Sequence, residues 1–277
     1  MTQQAGKLWV VATPIGNLDD LSPRARNALA QVDLIAAEDT RHSAALLQHC
    51  GIGTRCIALH EHNEREVSAG LVERLLGGAS IALISDAGTP LVSDPGFRLV
   101  RAAREAGIVV SPVPGACAAI AALSVAGLPS DRFVFEGFLP AKSAARRAQL
   151  QALLRETRTL IFYEASHRIA ETLEDIAAVF GSERRAVVAR ELTKLFETVL
   201  DGTVADLAQR VASDANQQRG EFVILVAGAG EDAAGARLVE GRRVFELLRK
   251  ELPPGRAAKL AAEISGAPRN ALYSTGE

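Results

Sequence analysis

Four short aliphatic runs, at residues 8–13, 32–37, 56–59 and 80–84, each end in a polar or small-residue cluster and lead into a stretch with helical periodicity. That alternation restricts the chain more than any other feature. Strands joined by helices run parallel, and a parallel sheet needs cover on both faces. A fifth run, 108–113, extends the pattern up to Pro114-Gly115-Ala116-Cys117-Ala118. The fourth is the most informative, because it stops at Ser85-Asp86-Ala87-Gly88-Thr89-Pro90, a cluster with little room for bulky side chains. Asp94-Pro95-Gly96 then predicts a helix start, with Asp94 as the capping acceptor and Pro95 in the first turn. Ligands of open α/β sheets sit beyond the carboxyl ends of strands, so this loop is a candidate cofactor site, a tight connection being the plain alternative.

The pattern changes near residues 124–131. Strands are predicted at 133–138, 159–163, 186–191, 196–200 and 221–227, with helices at 141–155, 169–180 and from 203 to about 212. Asp201-Gly202-Thr203 reads as a turn, and the short spacing between the third and fourth of these strands implies a mixed sheet. Residues 237–277 read as helical, broken at Pro253-Pro254-Gly255 and Gly266-Ala267-Pro268. The expected organisation is an α/β domain at 1–124, a second at 125–230 and a helical extension at 231–277.

The scarcity of aromatics, 4% of the chain, argues against a base-stacking surface and for an aliphatic core. Three cysteines without paired metal spacing suit a reducing compartment. No apolar run approaches a membrane span or a signal-peptide core, so the expectation is a soluble, cytoplasmic protein. A net charge of −2 hides local asymmetry: residues 237–277 carry eight Lys/Arg against five Asp/Glu, and residues 142–158 five against one. Two basic zones fit a phosphate-bearing partner, and ordinary solvated helix faces fit the same counts.

Gly228-Ala229-Gly230 formally opens a dinucleotide fingerprint, but no second strand follows it, and it reads as a linker. His60 and His62 offer two ligands where a metal site wants three or four, so no metal is expected. No nucleophile elbow, P-loop or H-E-x-x-H helix is present. What remains are polar strand ends and small-residue loops at Gly16, Gly88 and Gly115, where backbone groups can approach a ligand closely.

In order along the chain, TPIGN (13–17), AAEDTRHS (36–43), HEHNE (60–64), SDAGTPLVSDPG (85–96), VPGACAAIAAL (113–123), FEGFLP (135–140), FYEASHR (162–168) and RELTKLFE (190–197) resemble one family. It is the tetrapyrrole methylase superfamily, and within it the type that methylates a cytidine 2′-hydroxyl of 16S rRNA. Ala165 departs from the serine often found there.

The resemblance implies two α/β domains with a helical carboxyl extension, a homodimer acting on 16S rRNA of the small ribosomal subunit, and S-adenosylmethionine in a cleft between domains. Carried over by motif, the cofactor contacts would be Pro14, Gly16, Asp86, Ala87, Gly88, Ser93, Asp94, Ala116 and Ala119. The second domain would add Tyr163, Glu221, Phe222 and Val223. Candidates for the chemistry are Glu61 and His42 as proton acceptors, with Arg41, Arg190 and Lys194 orienting a phosphate or the hydroxyl; ordinary ion pairs are the alternative for each. Lys142, Arg146, Arg147 and Arg155 on one predicted helix, and Arg256, Lys259 and Arg269 in a helix-turn-helix-like tail, are the expected RNA contacts. The competing functions are methylation of a tetrapyrrole precursor or other small molecule, and non-catalytic ribosome binding.

Overall fold

The computed structural model describes residues 6–230 and 233–272, the stretch 233–237 by its backbone alone. The expected linker residues 231–232 and the last part of the expected extension, 273–277, lie outside the described residues.

Strands β1 (Lys7–Val11), β2 (Leu34–Ala37), β3 (Cys56–Ala58), β4 (Ile81–Ile84) and β5 (Val109–Val113) form an all-parallel sheet in the order β3-β2-β4-β1-β5. Every residue of β2 and β4 is buried, because both faces are covered. Helices α1 (Pro23–Gln31) and α2 (Thr40–His49) set Leu29 and Leu47 against Val11, Ile35 and Ile84. On the other face, α3 (Glu64–Leu76) and α4 (Phe97–Glu105) set Leu71, Leu75 and Leu99 against Leu8, Leu34 and Leu83. Each such side chain contributes roughly 1.5–3 kcal/mol by leaving water. The chain leaves β1 toward β2 and leaves β4 toward β5, in opposite directions across adjacent strands. The two connections pass each other over opposite faces, α1 on one and α4 on the other, and neighbouring loops that turn to opposite faces open a crevice at the sheet's carboxyl edge.

A second sheet contains β6 (Phe133–Phe138), β7 (Thr159–Ala165), β8 (Arg185–Arg190), β9 (Thr198–Thr203) and β10 (Glu221–Val226), in the order β6-β7-β10-β8-β9. It is mixed as expected: β6 and β7 are parallel and the other pairs antiparallel. Helices α6 (Ser143–Leu153), α7 (Ile169–Phe180) and α8 (Val204–Ser213) cover one face. The other face receives α5 (Ala118–Val125), whose Ala119, Ala122 and Leu123 pack on Ile161, Val187, Val223 and Leu225. The helix that leaves the first sheet therefore lies on the second, and joins the two.

Two local expectations are corrected. Asp201-Gly202-Thr203 is not a turn but the end of β9, because cross-strand pairing with Arg185 and Ala186 overrides the Asp-Gly signal. The Arg185 guanidinium holds the Asp201 carboxylate at 2.7 Å across that pair. Asp94 does not cap α4: the residue preceding the helix is Gly96, at φ 122, and no side chain of the turn itself bonds the helix start.

Beyond the second sheet, α9 (Ala233–Leu248) and α10 (Pro254–Ser265) enclose a small core of Val244, Phe245, Ala257, Ala261 and Leu272. Pro254 begins α10 and Gly266, at φ 70, ends it, as the breaks in the sequence imply. An ion pair of 3.0 Å between Arg155 and Glu240 ties α9 back to the turn that follows α6.

Candidate functional site

The loops after β1, β2, β4 and β5 are stitched to one another at the crevice. Thr13 and Gly88 exchange backbone hydrogen bonds of 2.9 and 3.1 Å. The Asp86 N–H donates to Glu38 Oε2 at 3.3 Å, while the Asp39 N–H donates to Asp86 Oδ1 at 3.0 Å. The Thr89 hydroxyl donates to the Ala116 carbonyl at 2.9 Å. Gly88 needs its lack of a side chain: it lies at φ 84, with the position of a Cβ 3.2 Å from Ile15 Cγ2. Further along, Leu91 and Ser93 hold φ of 74 and 68, a conformation that costs roughly 1–2 kcal/mol per residue with a Cβ.

These loops form one wall of a cavity of about 410 Å³. Glu38, Asp86 and Asp94 line it, and no Lys, Arg or His is among the lining residues. Burial, followed by the charges of Glu38 and Asp86, pushes the Asp94 carboxyl up to about 6 against a hydrogen bond from Ser85. Burial and the Asp86 charge likewise raise Glu38, opposed by the Asp86 N–H and by nearby His42.

The second sheet supplies the facing wall through Phe138, Tyr163, Glu164, Glu221, Phe222 and Val223. The Tyr163 ring meets Phe135 and Phe138 edge-on, at 4.9 and 5.7 Å, and its oxygen accepts the Ala119 N–H at 3.1 Å. Burial beside Cys117 raises its pKa and keeps it a neutral phenol. The carboxylates of this wall have partners. Glu164 accepts from the Arg168 Nε and the Thr172 hydroxyl, both at 2.7 Å, and Glu221 from Lys194 at 2.9 Å. Lys194 also holds Glu191 at 2.9 Å; burial disfavours its charge, but the two carboxylates outweigh that and raise its pKa.

Among the cofactor residues expected from the sequence, Asp86, Ala87, Gly88, Ser93 and Asp94 line the first wall, and Tyr163, Glu221, Phe222 and Val223 the second. Pro14, Gly16, Ala116 and Ala119 do not line it; their neighbours Ile15, Cys117 and Ala118 do. Ala119 and Ala116 act from behind, through the bonds to Tyr163 and Thr89. Gly16 lies under the Lys194 stem, where a Cβ would fall 2.4 Å from Lys194 Cγ. Glu38 and Glu164 line the cavity without being among the residues expected from the sequence, and only Glu38 lacks a cationic partner lining its wall. The signal for Glu38 is position: it is the first charged residue after β2, at the carboxyl edge of the sheet.

The expected catalytic residues scatter. Glu61 and His42 are exposed and do not line the cavity, although His42 is close enough to Glu38 to act on its charge. Arg41, 91% exposed, pairs with Asp39 at 3.1 Å. Arg190 is buried and donates to the carbonyls of Arg219 and Phe196 at 2.6 and 2.9 Å, which anchors the 191–197 loop rather than a phosphate. The predicted basic row on α6 is corrected as well. Arg146 is fully buried with its Nε 2.6 Å from Asp175, Arg147 joins the same carboxylate, and Arg155 pairs with Glu240. These arginines brace the fold, and Lys142 alone of the four is exposed without a recorded ion pair among the described residues.

Gly228 presses onto Thr157, whose carbonyl oxygen would lie 1.9 Å from a Cβ there, and it takes no part in the cavity. Among the described residues, no three His, Cys, Asp or Glu side chains are grouped to hold a metal ion, and no helix is long and apolar enough to cross a membrane.

Residues 7–208 match the family of tetrapyrrole (corrin/porphyrin) methylases, and residues 236–276 match the RsmI C-terminal HTH domain. The ribosomal RNA small subunit methyltransferase I of Xylella fastidiosa is 65% identical over 268 residues, covering 97% of this chain and 98% of that one. The protein of the same name from Pseudomonas aeruginosa is 63% identical over 273 residues, covering 97% and 96%. A solved uroporphyrin-III-C-methyltransferase from Thermus thermophilus shares the fold, with a TM-score of 0.57 and 21% identity over 80% of this chain and 94% of that one. A methylase-type core that continues into this carboxyl-terminal domain, with near full-length identity to such relatives, means that the chain belongs to the tetrapyrrole methylase family, in its ribosomal RNA small subunit methyltransferase I branch.

Proposed function

We propose that this chain transfers a methyl group from S-adenosylmethionine to a cytidine ribose 2′-hydroxyl of 16S rRNA, as its relatives' name implies for small-subunit RNA. Members of the family use S-adenosylmethionine. One observation carries the reading: of the five carboxylates that line the cavity, Glu164 and Glu221 are held by Arg168 and Lys194, whereas Glu38, Asp86 and Asp94 share a wall with no cationic side chain lining it. Burial, and after it neighbouring negative charge, holds the Glu38 and Asp94 carboxyls above their ordinary range, a cost that a cationic ligand relieves, and this cofactor carries a sulfonium and an ammonium. The residues present fit the group. Asp86 and Asp94 would face its positive charges, the Ala87 and Gly88 backbone its polar edge, and Tyr163, Phe222 and Val223 its adenosine. Pro14, Gly16, Ala116 and Ala119 would shape the pocket from behind.

Bound there, the cofactor supplies an electrophilic methyl carbon. The chain's part is to hold the ribose hydroxyl in line with it and away from water, an alignment worth up to roughly 7–11 kcal/mol of barrier. Glu38 is assigned as proton acceptor through Oε1, since Oε2 already takes the Asp86 N–H. A positioned base of that kind contributes about 10²–10⁴-fold, and exposed His42 beside it offers the proton a route to solvent. On this reading the partners are 16S rRNA within the small subunit and a second copy of the chain, and the place of action is the cytoplasm.

The test supplies labelled S-adenosylmethionine and small ribosomal subunits lacking the modification. The expected product is 2′-O-methylcytidine in 16S rRNA. Label appearing in a tetrapyrrole, or cofactor binding without transfer to any RNA, overturns the assignment.

A further inference from the structure

We propose that Glu64 is a positioning residue for the cofactor wall: it caps α4 from a different helix and thereby frees Asp94 to face the cavity. The inference rests on reading that cavity as the S-adenosylmethionine site.

Glu64 opens α3 and is 6% exposed, an unusual place for a carboxylate unless it is fully engaged. Its Oε1 accepts the N–H of Gly96 at 3.1 Å and that of Arg98 at 2.7 Å, while Oε2 lies 4.0 Å from Arg98 Nε. Those amides are the orphan donors at the start of α4, which has no side-chain cap of its own. No residue with a side chain can serve at the capping position itself. Gly96 is at φ 122 and is pressed on β4, where a Cβ would sit 2.6 Å from Leu83 Cδ2. The cap has to arrive from elsewhere, and it arrives from the element following β3.

The consequence lies upstream. Leu91, Ser93 and Gly96 all hold positive φ within six residues, and the segment between them carries Ser93 and Asp94 into the cavity. Such a segment persists only if both of its ends are held. The Thr13–Gly88 ladder and the Thr89–Ala116 bond hold the first end, and Glu64 holds the second. If Asp94 supplied the cap, as its place before Pro95-Gly96 suggests, its carboxylate would be bound to backbone amides and unavailable to a cation.

Calorimetric titration with S-adenosylmethionine tests this in the full chain. Glu64→Ala is expected to weaken binding by about tenfold and to speed amide exchange over residues 91–98, whereas Glu64→Gln, which keeps an acceptor oxygen, stays within about threefold. Thr203→Ala removes the cap of α8 in the other half, and is expected to lower the melting temperature without changing cofactor affinity. If Glu64→Ala does not fold, Glu64→Asp withdraws the carboxylate by one methylene and is expected to show the same direction of loss. Wild-type affinity and exchange in the Glu64→Ala or Glu64→Asp protein overturn the proposal. A wild-type chain that fails to bind S-adenosylmethionine overturns the cavity reading instead, and the exchange measurement still decides whether Glu64 holds the loop.

Discussion

The two walls of the cavity treat negative charge in opposite ways. On the first wall, Glu38, Asp86 and Asp94 lie together with backbone and hydroxyl donors but no cationic side chain lining the cavity. On the second, Glu164 is locked by Arg168 and Thr172, and Glu221 by Lys194; behind it Asp175 is gripped by Arg146 and Arg147. Charges neutralised within the chain stabilise the fold and leave little for a ligand. Charges left without a cation weaken the empty protein and make a place for one. The parallel sheet thus holds the binding chemistry, and the mixed sheet supplies the frame that faces it.

The largest expected effect belongs to the frame. Replacing both Arg146 and Arg147 with Met strips Asp175 of its two guanidinium partners and should lower unfolding free energy in denaturant by about 3–5 kcal/mol, with cofactor affinity of the folded fraction unchanged. A loss confined to affinity would erase the contrast between the walls. Next is the double change Asp86→Asn with Asp94→Asn. It should weaken S-adenosylmethionine by about 10- to 100-fold in calorimetry, and weaken the uncharged thioether product much less.

A smaller effect is expected from Asp94 alone, through pH. Its carboxyl stands at about 6 in the folded chain against an ordinary 3.8, so the empty folded state binds the proton more tightly than the unfolded one. That contribution to stability is complete below about pH 4 and lost as pH rises through about 6, while cofactor affinity runs the other way and improves over the same interval. Asp94→Asn should therefore stabilise the empty protein at pH 7.5 by about 1–2 kcal/mol, allowing for partial solvent screening, and flatten both profiles. The smallest change is Lys194→Ala, which uncovers Glu221 on the second wall. Stability should fall by less than about 1 kcal/mol, since the pair is partly exposed, and a kinetic comparison should show turnover falling more than cofactor affinity.

The site was partly legible before folding. Asp86, Gly88, Ser93 and Asp94 could be placed because a buried strand running into small residues and carboxylates leaves few other arrangements. In the sequence the HEHNE cluster is more conspicuous than Glu38, yet its Glu61 stays exposed and its Glu64 turns inward to cap a helix. Arg146 shows the opposite case, a conspicuous charge that folding hides. Spacing along a helix puts Arg146 on a charged stripe, but it is invisible from there that α7 brings Asp175 against that stripe and closes it from solvent.

The sequence by itself determined the order of strands and helices, the parallel first half, the mixed second half and the broken helical tail, because periodicity, glycine and proline act over a few residues at a time. Only the tertiary structure decided which charges are neutralised, that α5 lies on the second sheet, and that Glu64 rather than Asp94 caps α4. Each of those depends on contacts between segments separated by tens of residues, where burial and the approach of an opposite charge outweigh any local preference.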